Sequence, residues 1–315
     1  MGPKTVSRMA TRLRGLLRGR LPKSDVQPPP MPFVVGVARS GTTLLRLMLD
    51  AHPQLAIPAE THFLVPVSKL SGSGEELRKA FFETVTGFET WEDLDVDADQ
   101  FRDALRDIHP FSVAAGCRCF FQLYAAKRQK PRWGDKSPPY NLHMDTLSVL
   151  LPEAHFIHII RDGRDMAISL RHLCFSPGSD MSTLAHHWCE TIATARHLAK
   201  NCPHYLELRY EDLLSNPRQE LDRICRFIDP PFDTSMLDYH RQAKSRLNEV
   251  KTRYRPDGSI VLTKDDRLHN HRFTSQPPDM SRSGRWRTEM TLAEREVFEG
   301  IAGSLLREMG YEIGH

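Results

Sequence analysis

No stretch of this 315-residue chain is apolar for long enough to serve as a signal sequence or to cross a membrane, and no internal repeat is visible. Cysteine is sparse and shows no pairing pattern. Cys117 and Cys119 have no second Cys or His pair at zinc spacing, and Cys174, Cys189, Cys202 and Cys225 are scattered through apolar stretches. That argues against a disulfide framework or a zinc module and reads as six buried free thiols. His186-His187 and His269-Asn-His271 form no metal-ligand pattern either, so no metal is expected. Unpaired cysteines in a chain without an anchor fit a cytoplasmic protein. Strong charge of either sign is also missing from the body. The formal net charge is +3, but Lys4, Arg8, Arg12, Arg14, Arg18, Arg20 and Lys23 crowd the first 24 residues with no acid among them, leaving 36 basic against 40 acidic side chains elsewhere. The positive surplus belongs to an arm, and no nucleic-acid groove is implied.

That arm, residues 1–30, ends in Pro28-Pro-Pro-Met-Pro. Leu13, Leu16, Leu17 and Leu21 among its arginines allow a weakly amphipathic helix in contact with an anionic membrane surface; a disordered leader is the other reading. Residues 31–315, in a chain that is 40% apolar, suffice for one α/β domain.

The lysine of a nucleoside-triphosphate loop is missing as well. Residues 33–52 run from an apolar strand through Gly36 and Gly41 into a helix, with the spacing of G-x-x-x-x-G-K-[ST], but Thr42 stands where that lysine would be and a cation, Arg39, has moved inside the loop. What remains is a set of backbone N–H groups at a helix N-terminus, the hydroxyls of Ser40, Thr42 and Thr43, and one guanidinium able to grip a tetrahedral oxyanion. Such a cradle suits one terminal phosphate or phosphosulfate better than a triphosphate, which needs the lysine and a metal. Ala154–Ile160 reads as a second buried strand, followed by Arg161-Asp-Gly-Arg-Asp and a helix over Met166–Leu173 that carries Ser169. Arg161 and Ser169 can hold a second anion beside the first strand, where open parallel sheets bind ligands. Two phosphate sites imply a nucleotide phosphorylated at both ends.

With these residues the chain resembles the sulfotransferases that use 3′-phosphoadenosine 5′-phosphosulfate, and within them the tyrosylprotein sulfotransferases and their bacterial relatives. Ala38-Arg-Ser-Gly-Thr-Thr-Leu is similar to the family's 5′-phosphosulfate loop, and Arg161-Asp-Gly-Arg through Ser169 to its 3′-phosphate motif. Ala51-His-Pro followed by Pro58-Ala-Glu-Thr matches the tyrosylprotein branch, and the resemblance implies Glu60 as catalytic base. Trp133-Gly-Asp-Lys-Ser-Pro resembles the segment whose lysine, here Lys136, stabilises the transferring sulfuryl group. Tyr210-Glu-Asp-Leu is similar to the segment whose tyrosine contacts adenine. In Ser281-Arg-Ser-Gly-Arg-Trp-Arg the resemblance implies a loop closing over the nucleotide, with Ser283, Arg285 and Arg287 as its contacts.

The implied fold is a P-loop-type central parallel sheet flanked by helices. Helix-like periodicity around Leu77–Val85 and Gln100–Ile108 adds a helical cap, and the polar run from His240 to Arg282 reads as a long substrate-facing loop. Moving a sulfuryl group to a hydroxyl is an in-line displacement in which charge grows on the bridging oxygen of the leaving nucleotide; Arg39 and Lys136 can meet that charge, Glu60 can take the hydroxyl proton, and His62 is the fallback base. The implied acceptor is an alcohol or phenol on a small molecule, lipid or peptide. A P-loop kinase and a catalytically silent nucleotide-binding protein are the alternatives, and no residue pattern speaks to oligomeric state.

Overall fold

The computed structural model describes residues 28–255 and 257–314, so the basic arm up to residue 27 lies outside the described residues. The strands that build the site are β1 (Met31–Val35), β2 (Leu55–Ala56), β3 (Arg132–Trp133), β4 (Asp135–Lys136), β5 (Ala154–Ile160) and β6 (Tyr205–Arg209). Four of them form a parallel sheet in the order β4-β1-β5-β6, with Phe33 opposite Asp135 and Phe156, and Ile157 opposite Leu206. Every residue of β1 and β5 is buried, as expected of central parallel strands covered on both faces. The strand period of two sorts β1 between two cores: Phe33 and Val35 face one, Val34 the other.

The helices include α1 (Thr42–Ala51), α2 (Gly74–Thr86), α3 (Ala98–Arg106), α4 (Val113–Lys127), α5 (Gly163–Leu170), α6 (Met181–Ala199), α7 (Lys264–Asn270) and α8 (Leu292–Glu308), and further helices such as Pro217–Ile228 lie between them. On the Phe33 face, α2, α3 and α4 form the helical cap. Its core is aromatic, with Phe101 against Trp91 at 5.8 Å, Phe120 at 6.0 Å and Phe81 at 6.2 Å between ring centroids. It continues into the sheet through Phe33 and Phe156, so cap and sheet share one hydrophobic cluster. Truncating Phe101 to alanine would cost about 3–5 kcal/mol. Asp97 and Ser112 accept backbone N–H groups at the starts of α3 and α4 and set where those helices begin.

Two expectations need correction. Helix α5 starts at Gly163, earlier than Met166, because Asp162 caps it by accepting the Arg164 N–H at 2.9 Å. Not all cysteines are buried: Cys117, Cys119 and Cys225 are, whereas Cys174 is exposed and Cys189 and Cys202 are half-buried.

The stretch 240–282 is not a bare loop. It holds a helix at His240–Leu247, the hairpin β7 (Arg253–Tyr254) with β8 (Ile260–Leu262), and α7. Charge anchors it where apolar residues do not: both oxygens of buried Asp93 accept from Arg267, at 2.9 and 2.7 Å, and one also accepts the Lys251 N–H at 2.7 Å. Hydropathy periodicity carries no signal for such anchors. Among the described residues no helix is long and apolar enough to cross a membrane.

Candidate active site

All four strands of the main sheet deliver their carboxyl ends to one edge, where the chain continues into Gly36, Ser137, Arg161 and Tyr210. The loop after β1 is shaped by two glycines. Gly36, at φ 154°, lies so close to β5 that a Cβ would stand 2.5 Å from the Ile159 carbonyl oxygen. Gly41, at φ 97°, has the Tyr210 ring where a Cβ would be, 2.3 Å away. Gly41 is also the N-cap of α1, which has no capping side chain and no acid in its first turn. The positive end of the helix is therefore left for another partner. Beside it the Ser40 hydroxyl is buried without a hydrogen bond, which fits a site that takes an anion.

Arg39 sits in the left-handed region at φ 73°, which turns its side chain across the edge of the sheet. Its Nε donates to Ser169 Oγ at 3.1 Å and a terminal nitrogen donates to the Asn270 carbonyl at 3.1 Å. Burial first, then the charges of Arg161, Arg272 and Arg285, lower its guanidinium to about 10. Arg161 donates to the carbonyls of Arg39, at 3.1 Å, and Arg282, at 2.6 Å, lies over the Tyr210 ring and leaves its Nε buried without a partner. Asp165, 3.6 Å from Arg161, accepts the N–H groups of Gly284 and Trp286 and so ties the C-terminal loop to α5. Guanidinium groups held this close with too few acids make a receptor for a polyanion.

Next to this cluster stands an ion pair assembled from two distant segments. Lys136 Nζ donates to Glu60 Oε1 at 2.6 Å and reaches Thr43 Oγ1 at 3.5 Å. Both residues are held by their sequence neighbours. Thr61, after Glu60, donates its hydroxyl to Asp135 Oδ1 at 2.8 Å and its N–H to Ser137 Oγ at 3.0 Å, and Asp135 and Ser137 flank Lys136. The Tyr140 hydroxyl, 3.1 Å from Thr61 Oγ1, accepts the Leu64 N–H. Burial pushes the Glu60 carboxyl up, but Lys136, with His62 adding to it, outweighs that and holds it well below the usual carboxylate range. Burial lowers Lys136, against the pull of Glu60. Glu60 Oε2 lies 2.8 Å from His62 Nε2.

Arg39, Ser40, Gly41, Thr42, Thr43, Glu60, Lys136, Arg161, Ser169 and Tyr210 are thus gathered at one edge of the sheet. Arg39 and Ser169, expected at separate phosphates, touch each other. The tail of the C-terminal loop is less engaged: Ser283 makes no side-chain hydrogen bond among the described residues, Arg285 is paired with Glu289 at 2.7 and 2.8 Å, and Arg287 with Glu312 at 2.8 Å. Arg272, Arg282 and His271 were missed by the sequence reading. His271, dismissed there as a metal ligand, lies near Lys136, Arg39 and Glu60; burial, then the Lys136 and Arg39 charges, pushes it down to about 3 and keeps it neutral. Arg282 lay inside the quoted Ser281–Arg287 motif, but nothing in the spacing set it apart from its neighbours.

The profile of the sulfotransferase family matches residues 30–234. Protein-tyrosine sulfotransferase A of Caenorhabditis elegans is 28% identical over 227 residues, which make up 68% of this chain and 53% of that protein. The nodulation protein NoeE of Sinorhizobium fredii is 26% identical over 314 residues, or 91% of this chain and 68% of that one. The chain thus spans between about half and two thirds of these relatives. Among solved structures, the sulfotransferase domain from the curacin biosynthetic pathway superposes with a TM-score of 0.58 at 20% identity, covering 92% of this chain and all of that domain, a likeness of fold.

Proposed function

This chain belongs to the sulfotransferase family, and from that premise we propose that it transfers a sulfuryl group from 3′-phosphoadenosine 5′-phosphosulfate to a hydroxyl, by in-line displacement. The observation that carries the reading is the Glu60–Lys136 pair, with Lys136 3.5 Å from Thr43 of the phosphate-type loop. A carboxylate for a proton and an ammonium for a leaving oxyanion lie side by side at an anion cradle.

In this reading the donor supplies the sulfuryl group, and the chain's own residues hold and polarise it. The loop N–H groups with Ser40, Thr42 and Thr43 take the 5′ end, and Arg161 and Ser169 take the 3′-phosphate. Arg39, at φ 73°, lies between the two. The partnerless Ser40 hydroxyl and Arg161 Nε are atoms that such a ligand, anionic at both ends, satisfies. Lys136 meets the charge that grows on the bridging oxygen, in a buried place where it counts for more than in water. Glu60, ionised at neutral pH, supplies the carboxylate for general-base removal of the acceptor's proton. Ser283 and Arg285 close the loop over the nucleotide, Arg285 by exchanging Glu289 for a phosphate, and Tyr210 borders the adenosine. The acceptor class is a hydroxyl or phenol, and the setting is cytoplasmic, in one domain from residue 31 onward. No metal takes part.

The test is formation of 3′-phosphoadenosine 5′-phosphate and sulfated product from the donor with simple phenols, sugars, lipids and tyrosine peptides, with ATP–magnesium as a control. Glu60→Gln keeps the shape of the side chain but lowers the rate about 10²–10⁴-fold. A chain that binds the donor and sulfates none of these acceptors would falsify the reading.

A further inference from the structure

Glu60 has two neighbours on its carboxylate, and they differ in what they can do with a proton. Lys136, on Oε1, has a side chain 4% exposed and is a donor only. His62, on Oε2, is 20% exposed and has a second ring nitrogen. The 2.8 Å contact between His62 Nε2 and an ionised carboxylate requires the proton on Nε2, because two lone pairs would repel. The neutral ring then carries its free lone pair on Nδ1, which has no hydrogen-bond partner among the described residues. His62 also stands at φ 54°, in the left-handed region that costs a β-carbon residue about 1–3 kcal/mol and is retained at functional positions. That backbone turn folds the ring back onto the carboxylate two residues earlier. The other charged and titratable groups around the pair are Lys136 and Asp135 on β4, Tyr140, whose ring centroid is 6.4 Å from the imidazole, and His271.

Resting on the sulfuryl-transfer reading above, we propose that Glu60 acts through His62, as the carboxylate of a Glu–His dyad whose Nδ1 is the atom that receives the acceptor's proton. The acceptor O–H bond breaks as its oxygen bonds to sulfur, and the proton goes to Nδ1. The bond from sulfur to the bridging oxygen breaks, with its electron pair left on the 5′-phosphate oxygen beside Lys136. Glu60 Oε2 holds Nε2–H throughout and stabilises the imidazolium, as the carboxylate does in other carboxylate–histidine pairs. The proton then leaves Nδ1 for solvent, to which the side chain is 20% exposed. A carboxylate held this far below its usual range is a weak base by itself. The imidazole converts its charge into proton affinity at the right atom.

The test uses His62→Gly, since glycine accepts φ 54° without strain and leaves room for an added imidazole. With a high-pKa alcohol as acceptor, kcat should fall about 10²–10⁴-fold while the affinity for 3′-phosphoadenosine 5′-phosphate stays within a few-fold. Added imidazole should restore turnover in a saturable way, in the variant and not in the parent. An active parent beside an equally active His62→Gly overturns the dyad and leaves sulfuryl transfer standing. Loss of rate without rescue, together with weakened nucleotide binding, shows a structural role and overturns it too. A parent that transfers no sulfate overturns the function and the dyad together.

Discussion

Replacing Arg39 with alanine separates stability from ligand binding, because the guanidinium is badly placed until an anion arrives. Burial and three neighbouring arginines lower it to about 10 from the ordinary 12.5. A displacement of that size amounts to at most roughly 3 kcal/mol against the charged form. Arg39→Ala removes that cost, together with the hydrogen bonds to Ser169 and Asn270, each worth about 0.5–1.5 kcal/mol. The terms nearly cancel, so the ligand-free variant should melt close to the parent. Binding is different. Two charge-assisted contacts to phosphate, at about 1.5–3 kcal/mol each, weaken the nucleotide by about 10²-fold or more when lost. At a ligand concentration of about 100 Kd the parent gains about 2.7 kcal/mol, whereas a 100-fold weaker variant gains about 0.4 kcal/mol at the same concentration. With roughly 2 °C per kcal/mol in a protein of this size, 3′-phosphoadenosine 5′-phosphate should raise the parent's melting point by about 5 °C and the variant's by under about 1 °C. Equal shifts would refute the assignment of Arg39 to the nucleotide, and a variant unfolded without ligand would refute the electrostatic account.

Two further outcomes follow from the same edge of the sheet. The parent should bind 3′-phosphoadenosine 5′-phosphate much more tightly than adenosine 5′-phosphate, and Arg161→Ala, which removes the partnerless Nε, should narrow that gap in a calorimetric titration; an unchanged ratio places the 3′-phosphate elsewhere. Burial pushes the Asp135 carboxyl up to about 6, above its unfolded value of 3.8, so whatever it contributes to stability below about pH 4 is lost as pH rises through 6, at most roughly 3 kcal/mol. Asp135→Asn does not titrate, and its melting point relative to the parent should climb between pH 4 and pH 8; a constant difference across that range contradicts the burial of a charged carboxylate.

Much of the site was legible along the chain because its parts are local. A strand of β1's composition followed by two glycines and Arg39 within six residues can be read as a phosphate-type loop, since positive φ and close approach are demands that only glycine meets cheaply. Arg161 stands just before a single short helix and Ser169 lies in its last turn, and both long central strands were visible as apolar runs. Glu60 and Lys136 stood out only by resemblance. Their pairing, 76 residues apart, depends on Thr61, Asp135 and Ser137, which lie inside the two motifs but give no sign along the chain that they bond to one another.

That the stretch 240–282 faces the substrate could be read from its polarity, but not which of its residues reach the site. His271 and Arg272 lie in a polar segment without periodicity, and they reach the site because Arg267 pairs with Asp93 in the cap and the Asn270 carbonyl meets Arg39. By itself, then, the sequence determined the conformations that short-range sterics and burial dictate: the long central strands, the glycine-shaped loop and two of the three cap helices, α2 and α3. Only the tertiary structure decided which charges stand together and which ring nitrogen is free. Coulomb energy and desolvation depend on distances through space and on the water excluded there, and neither is a function of separation along the chain.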